Sequence, residues 1–359
     1  MTARAALSPD GRLVRLAWAD GRAAELGARW LFDHAREARD PVSGQRLQGL
    51  LEAGPRVLAV DCEGDLLRML FAGSEHWRSV SLDDARPGQR APSHTPWLRP
   101  AAILSAEPVA FNDFLADDGA LLQALSRVTR FGLVLLDGAG RVPGSVERAV
   151  ARFGFIRETN YGRIFDVRIE PSPSNLAFSG RGLELHTDNP YRDPPPTLQL
   201  LHALVADPAG GETLFVDGFA QAEALRTEAP EEFDLLARTP VRFSYTDASG
   251  ARLSARAPVI DLAADGEIKA IRLNHRSLDL EPGGAEVERW YEAYLRFHRC
   301  VHAPDAAFER TLGPGEMVIF DNLRILHGRR PLTGGSPRWL QGCYADRDGL
   351  QATLARLEA

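Results

Sequence analysis

The chain has 359 residues, of which 44% are apolar and 25% charged, with a formal charge of −7. That is the composition of an ordinary folded protein, and the length suits one large and one small domain. No basic block marks a nucleic-acid surface, and no apolar run has the length of a membrane span or of a secretory signal core, so small-molecule chemistry in the cytoplasm is the expectation.

In chain order, residues 1–83 carry short apolar segments such as Leu13 to Trp18 and Leu66 to Phe71, punctuated by Gly11, Gly21 and Gly73. They read as strands and turns of a small β-rich N-terminal domain. Residues 84–100, with Pro87, Pro92 and Pro96, have the composition of a linker. In 101–359, Leu121 to Leu125 reads as helix, Gly132 to Asp137 as a buried strand, and Ser145 to Phe153 as helix. Strand patterns follow at Thr197 to Val205, Glu212 to Val216, Val241 to Tyr245, Ile268 to Leu273, Glu316 to Phe320 and Arg338 to Tyr344. Helices are expected over Gly218 to Arg238 and Ala285 to Val301. The fold class is mainly β with inserted helices, a jelly-roll type double-sheet barrel. Cys62, Cys300 and Cys343 are scattered without a CxxC and read as reduced thiols.

The chemistry centres on His186-Thr187-Asp188, an HxD, and on a distant His327. An HxD alone is weak in a chain with nine histidines. On a strand, however, residues i and i+2 share a face, so His186 and Asp188 can reach one ion. With His327 they form the two-imidazole, one-carboxylate set of non-haem Fe(II), which leaves positions open for 2-oxoglutarate and dioxygen. The distal carboxylate of 2-oxoglutarate needs a cation, and Arg338 follows His327 at the start of a strand.

HxD, a distal His and a following Arg, in that order, resemble the taurine dioxygenase-like Fe(II)/2-oxoglutarate oxygenases, and within them the γ-butyrobetaine and trimethyllysine hydroxylase group. The likeness runs from about residue 28 to the C-terminus, through Trp30-Leu31, Pro194-Pro195, Gln199 to His202, Gly210-Gly211, Val216 to Phe219, Phe320 to Asn322, Leu326 to Arg330 and Tyr344 to Asp346. The resemblance implies a double-stranded β-helix catalytic domain behind the small N-terminal one, assembled as a homodimer. It places Thr213 beside Arg338 on 2-oxoglutarate. It also implies a trimethylammonium cage at Tyr161, Phe165, Phe178 and Tyr344, and anion contacts at Asn175 and Asn274 near His275 and Arg276.

Two departures stand out. The N-terminal zinc cysteines of the group fall on Ala35, Glu37 and Asp40, so no structural zinc is expected although His76 remains; a Glu37, Asp40 and His76 set is the weaker alternative. The second and third cage positions, more often Trp and Tyr, are Phe165 and Phe178 here. Phe keeps a π face, but Trp attracts cations best.

The expected activity is hydroxylation of a C–H in a small quaternary-ammonium acid, γ-butyrobetaine first. Trimethyllysine or a trimethylammonio-alkylphosphonate comes next, then a taurine-type sulfonate or other small acid. A degenerate barrel that only binds ligands is the non-enzyme alternative.

Overall fold

The computed structural model describes residues 3–47, 49, 54–86, 94–100, 103, 106–169, 178–207, 210–247, 250–332 and 336–358. The chain divides into two compact units, Met1–Ala91 and Pro92–Ala359. In the first, β1 (Ala3–Leu7), β2 (Leu13–Trp18) and β3 (Ala23–Gly27) form one antiparallel sheet, and β4 (Val57–Glu63), β5 (Leu66–Phe71) and β6 (Trp77–Ser81) another. The alternation in β2 and β5 puts Val14, Leu16, Leu67, Met69 and Phe71 into the core of this unit, together with Leu31 from the helix Ala28–His34. Ala35 is buried in that core. Glu37 accepts hydrogen bonds from the backbone N–H and hydroxyl of Ser79, and Asp40 from the N–H groups of Val42 and Ser43.

The second unit is built on two sheets. Its strands are β7 (Val109–Ala110), β8 (Leu133–Asp137), β9 (Phe165–Arg168), β10 (Leu183–His186), β11 (Leu198–Val205), β12 (Thr213–Asp217), β13 (Val241–Thr246), β14 (Arg252–Ala257), β15 (Ile260–Leu262), β16 (Ile268–Ile271), β17 (Leu278–Asp279), β18 (Phe308–Arg310), β19 (Met317–Asp321), β20 (Ile325–Arg329) and β21 (Trp339–Ala345). The six-stranded sheet has the order β7-β8-β19-β11-β21-β9 and the four-stranded sheet β10-β20-β12-β18. β11 and β19 are apolar almost without a break because both of their faces are covered. One face, through Val134, Leu198, Leu200, Met317, Ile319 and Cys343, packs on the helices Phe111–Ala116, Asp118–Phe131 and Ser145–Val150. The other, through Leu135, Leu201, Val318, Phe320 and Leu340, meets Phe215, Phe308 and Ile325 of the four-stranded sheet.

The period of two then decides what faces this interior. In β12, Leu214 and Val216 point outward to the helices Gly218–Glu228, Pro230–Arg238 and Ala285–Val301, leaving Thr213 and Phe215 inside. In β20, Leu326 is outward and Ile325 inward, so His327 and Arg329 share the inner face. The single helix expected over Gly218 to Arg238 is two, broken at Ala229 (φ −149°, ψ 69°). Pro230 has no N–H to continue the first helix and serves as the first residue of the second. Among the described residues no helix is long and apolar enough to cross a membrane.

A buried ion pair ties the turn before β20 to its surroundings. Arg324 and Asp217, 1% and 0% exposed, pair at 2.7 Å (Nη2 to Oδ2) and 3.1 Å (Nε to Oδ1). Arg324 also donates to the carbonyls of Thr95 and Arg130, while Asp217 accepts from Phe219 N–H as helix cap and from Trp97 N–H. The second half of the expected linker is therefore anchored in this unit, with Trp97 buried. Removing one member strands the other charge. Asp217→Ala is expected to destabilise the protein by about 3–5 kcal/mol, read from urea unfolding midpoints, whereas surface pairs such as Arg15 with Glu25 change it by less than about 1 kcal/mol.

Candidate active site

β20 lies between β10 and β12, and its register sets His327 directly opposite His186 on one side and Phe215 on the other. The two imidazoles come to 4.4 Å between ring centroids. The β10 ladder ends at His186, so Asp188 is placed by other means than the expected extended strand. Asn322, fully buried in the turn between β19 and β20, accepts from Asp188 N–H at 2.8 Å and donates to the carbonyls of Asp188 at 3.0 Å and Pro196 at 2.9 Å. Asn189 then reverses the chain in the left-handed region, φ 54°, which asparagine tolerates better than most side chains. The result is one grouping in which ligand atoms of His186, Asp188 and His327 all lie within 4.8 Å, the one such grouping among the described residues.

His186 Nδ1 bonds the carbonyl of Glu184 at 2.7 Å, which makes it the donor and leaves Nε2, 3.3 Å from Asp188 Oδ1, with a free lone pair. His327 Nε2 is 3.8 Å from Asp188 Oδ2. Burial, reinforced by the neighbouring His186, pushes His327 down to about 3, so its ring is neutral at pH 7. Burial alone would raise the Asp188 carboxyl, but the adjacent imidazoles and the Tyr344 hydroxyl, which donates to Oδ2, hold it well below the usual carboxylate range. A neutral His327 and an ionised Asp188 are the protonation states that a divalent cation requires of these ligands.

These residues open onto a cavity of about 90 Å³. Thr213, Arg338, Tyr161, Phe165, Phe178 and Tyr344 line it together with the three ligands. Arg338 Nη2 donates to Thr213 Oγ1 at 3.3 Å. Burial, with Arg329 nearby, pushes Arg338 down to about 10, against the pull of the Asp207 carboxylate. A buried guanidinium in a cavity wall fits an anionic ligand. Phe165 stands between Tyr161 and Tyr344, at centroid distances of 6.3 and 5.0 Å.

Asn274 lines a smaller adjoining pocket with His186, His275 and Arg276, and its amide donates to Thr187 O at 3.0 Å. Asn175 lies outside the described residues. His202, read as an ordinary core residue, is buried and bonds Gly140 O. Several contributors carry no metal-ligand or cage signature in the sequence. Gln199 and Arg329 are buried in the cavity wall, Asn322 orients Asp188, and Tyr191 and Tyr245, stacked at 4.8 Å, back Tyr161. The alternation of β11 and β20 is the signal that could have placed Gln199 and Arg329 inside.

The family model described as taurine catabolism dioxygenase TauD, TfdA family matches residues 94–344. The chain belongs to the TauD, TfdA family. A relative within curated proteins, γ-butyrobetaine dioxygenase of Pseudomonas sp. (strain AK-1), is 35% identical over 96% of this chain and 94% of its own. Human γ-butyrobetaine dioxygenase is 32% identical over 68% of this chain, and bovine mitochondrial trimethyllysine dioxygenase 33% over 69%. The match spans 65% and 60% of those two proteins' own lengths, less than two thirds.

Two outcomes follow from this geometry. Asn322→Ala is expected to weaken Mn(II) or Co(II) binding by about 10- to 100-fold in calorimetry, because Asp188 loses what orients it. In the metal-free protein, His327 in the unfolded chain binds a proton below pH 6.5 that the folded site refuses until about 3. More protons are then bound by the unfolded state, so stability falls as the pH drops through that window. Thermal melts should show this decline, and His327→Gln should flatten it.

Proposed function

We propose that this chain is an Fe(II)- and 2-oxoglutarate-dependent dioxygenase that hydroxylates a C–H of a small quaternary-ammonium acid, with γ-butyrobetaine the first candidate. The observation that carries the reading is the convergence on one cavity of His186, Asp188 and His327, the buried Arg338 with Thr213, and the aromatic wall of Tyr161, Phe165, Phe178 and Tyr344. The contact between the inner faces of the two sheets supports a double-stranded β-helix as the framework.

His186, Asp188 and His327 hold the iron, and Arg338 and Thr213 hold the distal carboxylate of 2-oxoglutarate. Loaded in this way, the site supplies oxidative chemistry in which 2-oxoglutarate, dioxygen and R–H become succinate, CO₂ and R–OH. The protein contributes position and environment. A trimethylammonium group has no N–H to donate, so it is held by aromatic faces within about 6 Å. Tyr161, Phe165, Phe178 and Tyr344 offer such faces on the wall that also carries Asp188, which sets the cation near the metal and fixes which carbon faces it. Phe165 and Phe178 in place of Trp and Tyr make this a weaker cation trap, and Arg276 in the adjoining pocket supports trimethyllysine or a trimethylammonio-alkylphosphonate as a second reading.

Asp188→Ala is expected to abolish substrate-dependent succinate formation, and full activity in that variant would end the proposal. Arg338→Met should raise the KM for 2-oxoglutarate by about 10- to 100-fold, the loss of a charge-assisted hydrogen bond. Turnover of 2-oxoglutarate against betaines, trimethyllysine, phosphonates and sulfonates identifies the substrate. Replacing both Tyr161 and Tyr344 by Leu should cost binding of quaternary ammonium compounds, whereas substrate binding by a taurine-type enzyme would be nearly unchanged.

A further inference from the structure

Tyr344 presents two different surfaces to the site. Its ring belongs to the cavity wall and packs on Phe165, while its hydroxyl donates to Asp188 Oδ2 at 2.8 Å. The residue has little freedom to move away. It sits in β21 opposite Gln199 of β11, its carbonyl accepts from Arg157 N–H at 2.9 Å, and it is 3% exposed. The other oxygen of the carboxylate, Oδ1, faces His186 Nε2 at 3.3 Å.

We infer that Tyr344 is a positioning residue that restricts Asp188 to coordinating the metal through one oxygen. The inference rests on the iron reading above. A carboxylate with two free oxygens can close on a divalent cation through both. A hydrogen bond from a neutral hydroxyl to an anionic oxygen is among the stronger ones, and it competes with the metal for the position and electron density of that oxygen. Coordination arithmetic gives the consequence. Of six positions, two imidazoles and one carboxylate oxygen leave three, whereas two carboxylate oxygens leave only two. Chelating 2-oxoglutarate fills two. With Asp188 bound through both oxygens no position would remain for dioxygen, so the Tyr344 hydroxyl preserves the one that the reaction needs. The aromatic face and the hydroxyl thus serve separate purposes, and Tyr344→Phe removes one without the other.

The test counts water on Mn(II) bound to the full-length protein by water-proton relaxation, with no turnover required. The wild type should carry about three exchangeable waters and Tyr344→Phe about two, a fall in inner-sphere relaxivity of roughly a third. Adding 2-oxoglutarate should leave about one water in the wild type and none in the variant. Tyr344→Met, which also lacks the donor and adapts to a buried space, should behave as the Phe variant does. Equal hydration of wild type and both variants would overturn the inference while leaving the metal site standing. So would a variant whose only defect is weaker betaine binding. A wild-type protein that binds no Mn(II) would overturn the iron reading and this inference with it.

Discussion

The site depends on one constraint, the register of β20 between β10 and β12. Because side chains alternate, a slip of one residue would turn His327 and Arg329 outward and bring Leu326 into the cavity. The strand allows this register because the residue after His327 is glycine. A Cβ on Gly328 would stand 2.7 Å from the carbonyl of Leu183 in β10, a distance that real side chains do not reach. The close approach that Gly328 permits is also what sets His186 opposite His327. A packing requirement and a chemical requirement are thus met by adjacent residues.

Burial then sets the electrostatics. In a water-poor cavity His327 is held neutral, and Asp188 stays ionised because the contacts around it, the Tyr344 hydroxyl among them, outweigh desolvation. Arg338 and Arg329 remain as cations in the same wall. Among the described residues that line it, the cavity has one carboxylate and two guanidinium groups.

How much of this was legible in the sequence depended on the length and contrast of each segment. The eight-residue strand β11 and the helix Ala285–Val301 lie within a residue or so of where periodicity places them, because eight or more patterned residues outvote local noise, and the shorter β19 does so because four of its five residues are apolar. β9, β10 and β20 were not read. They are four or five residues long, and Ile325-Leu326-His327-Gly328-Arg329 contains a glycine and two polar groups, all buried for the sake of the site. Function hid the strand that carries it. The triad and Arg338 are nevertheless legible, since ligand chemistry restricts residue types more than it restricts strand patterns, whereas Thr213 comes only from the family resemblance. Asn322 and Gln199 were passed over as catalytic contributors because an amide that bonds main chain, or lines a wall, has no spacing signature. Pro230 was visible and should have divided the helix.

The aromatic wall shows how substitutions within a family can shift a site without dismantling it. Phe165 sits in β9 opposite Gly342 of β21, and a Cβ on Gly342 would stand 2.6 Å from the Phe165 ring. The ring lies directly on the bare backbone, so the wall at this point is already close-packed, and a larger indole there would need the ring plane or β9 to move. Phenylalanine attracts a cation less than tryptophan does but occupies less of the cavity. The neighbours point the same way. Tyr161 is braced by a hydroxyl contact to Tyr191, which in turn donates to Asn189 in the turn that follows Asp188. The proposed cage is thus connected by hydrogen bonds to the turn that follows Asp188. Position is the quantity that decides which C–H is oxidised.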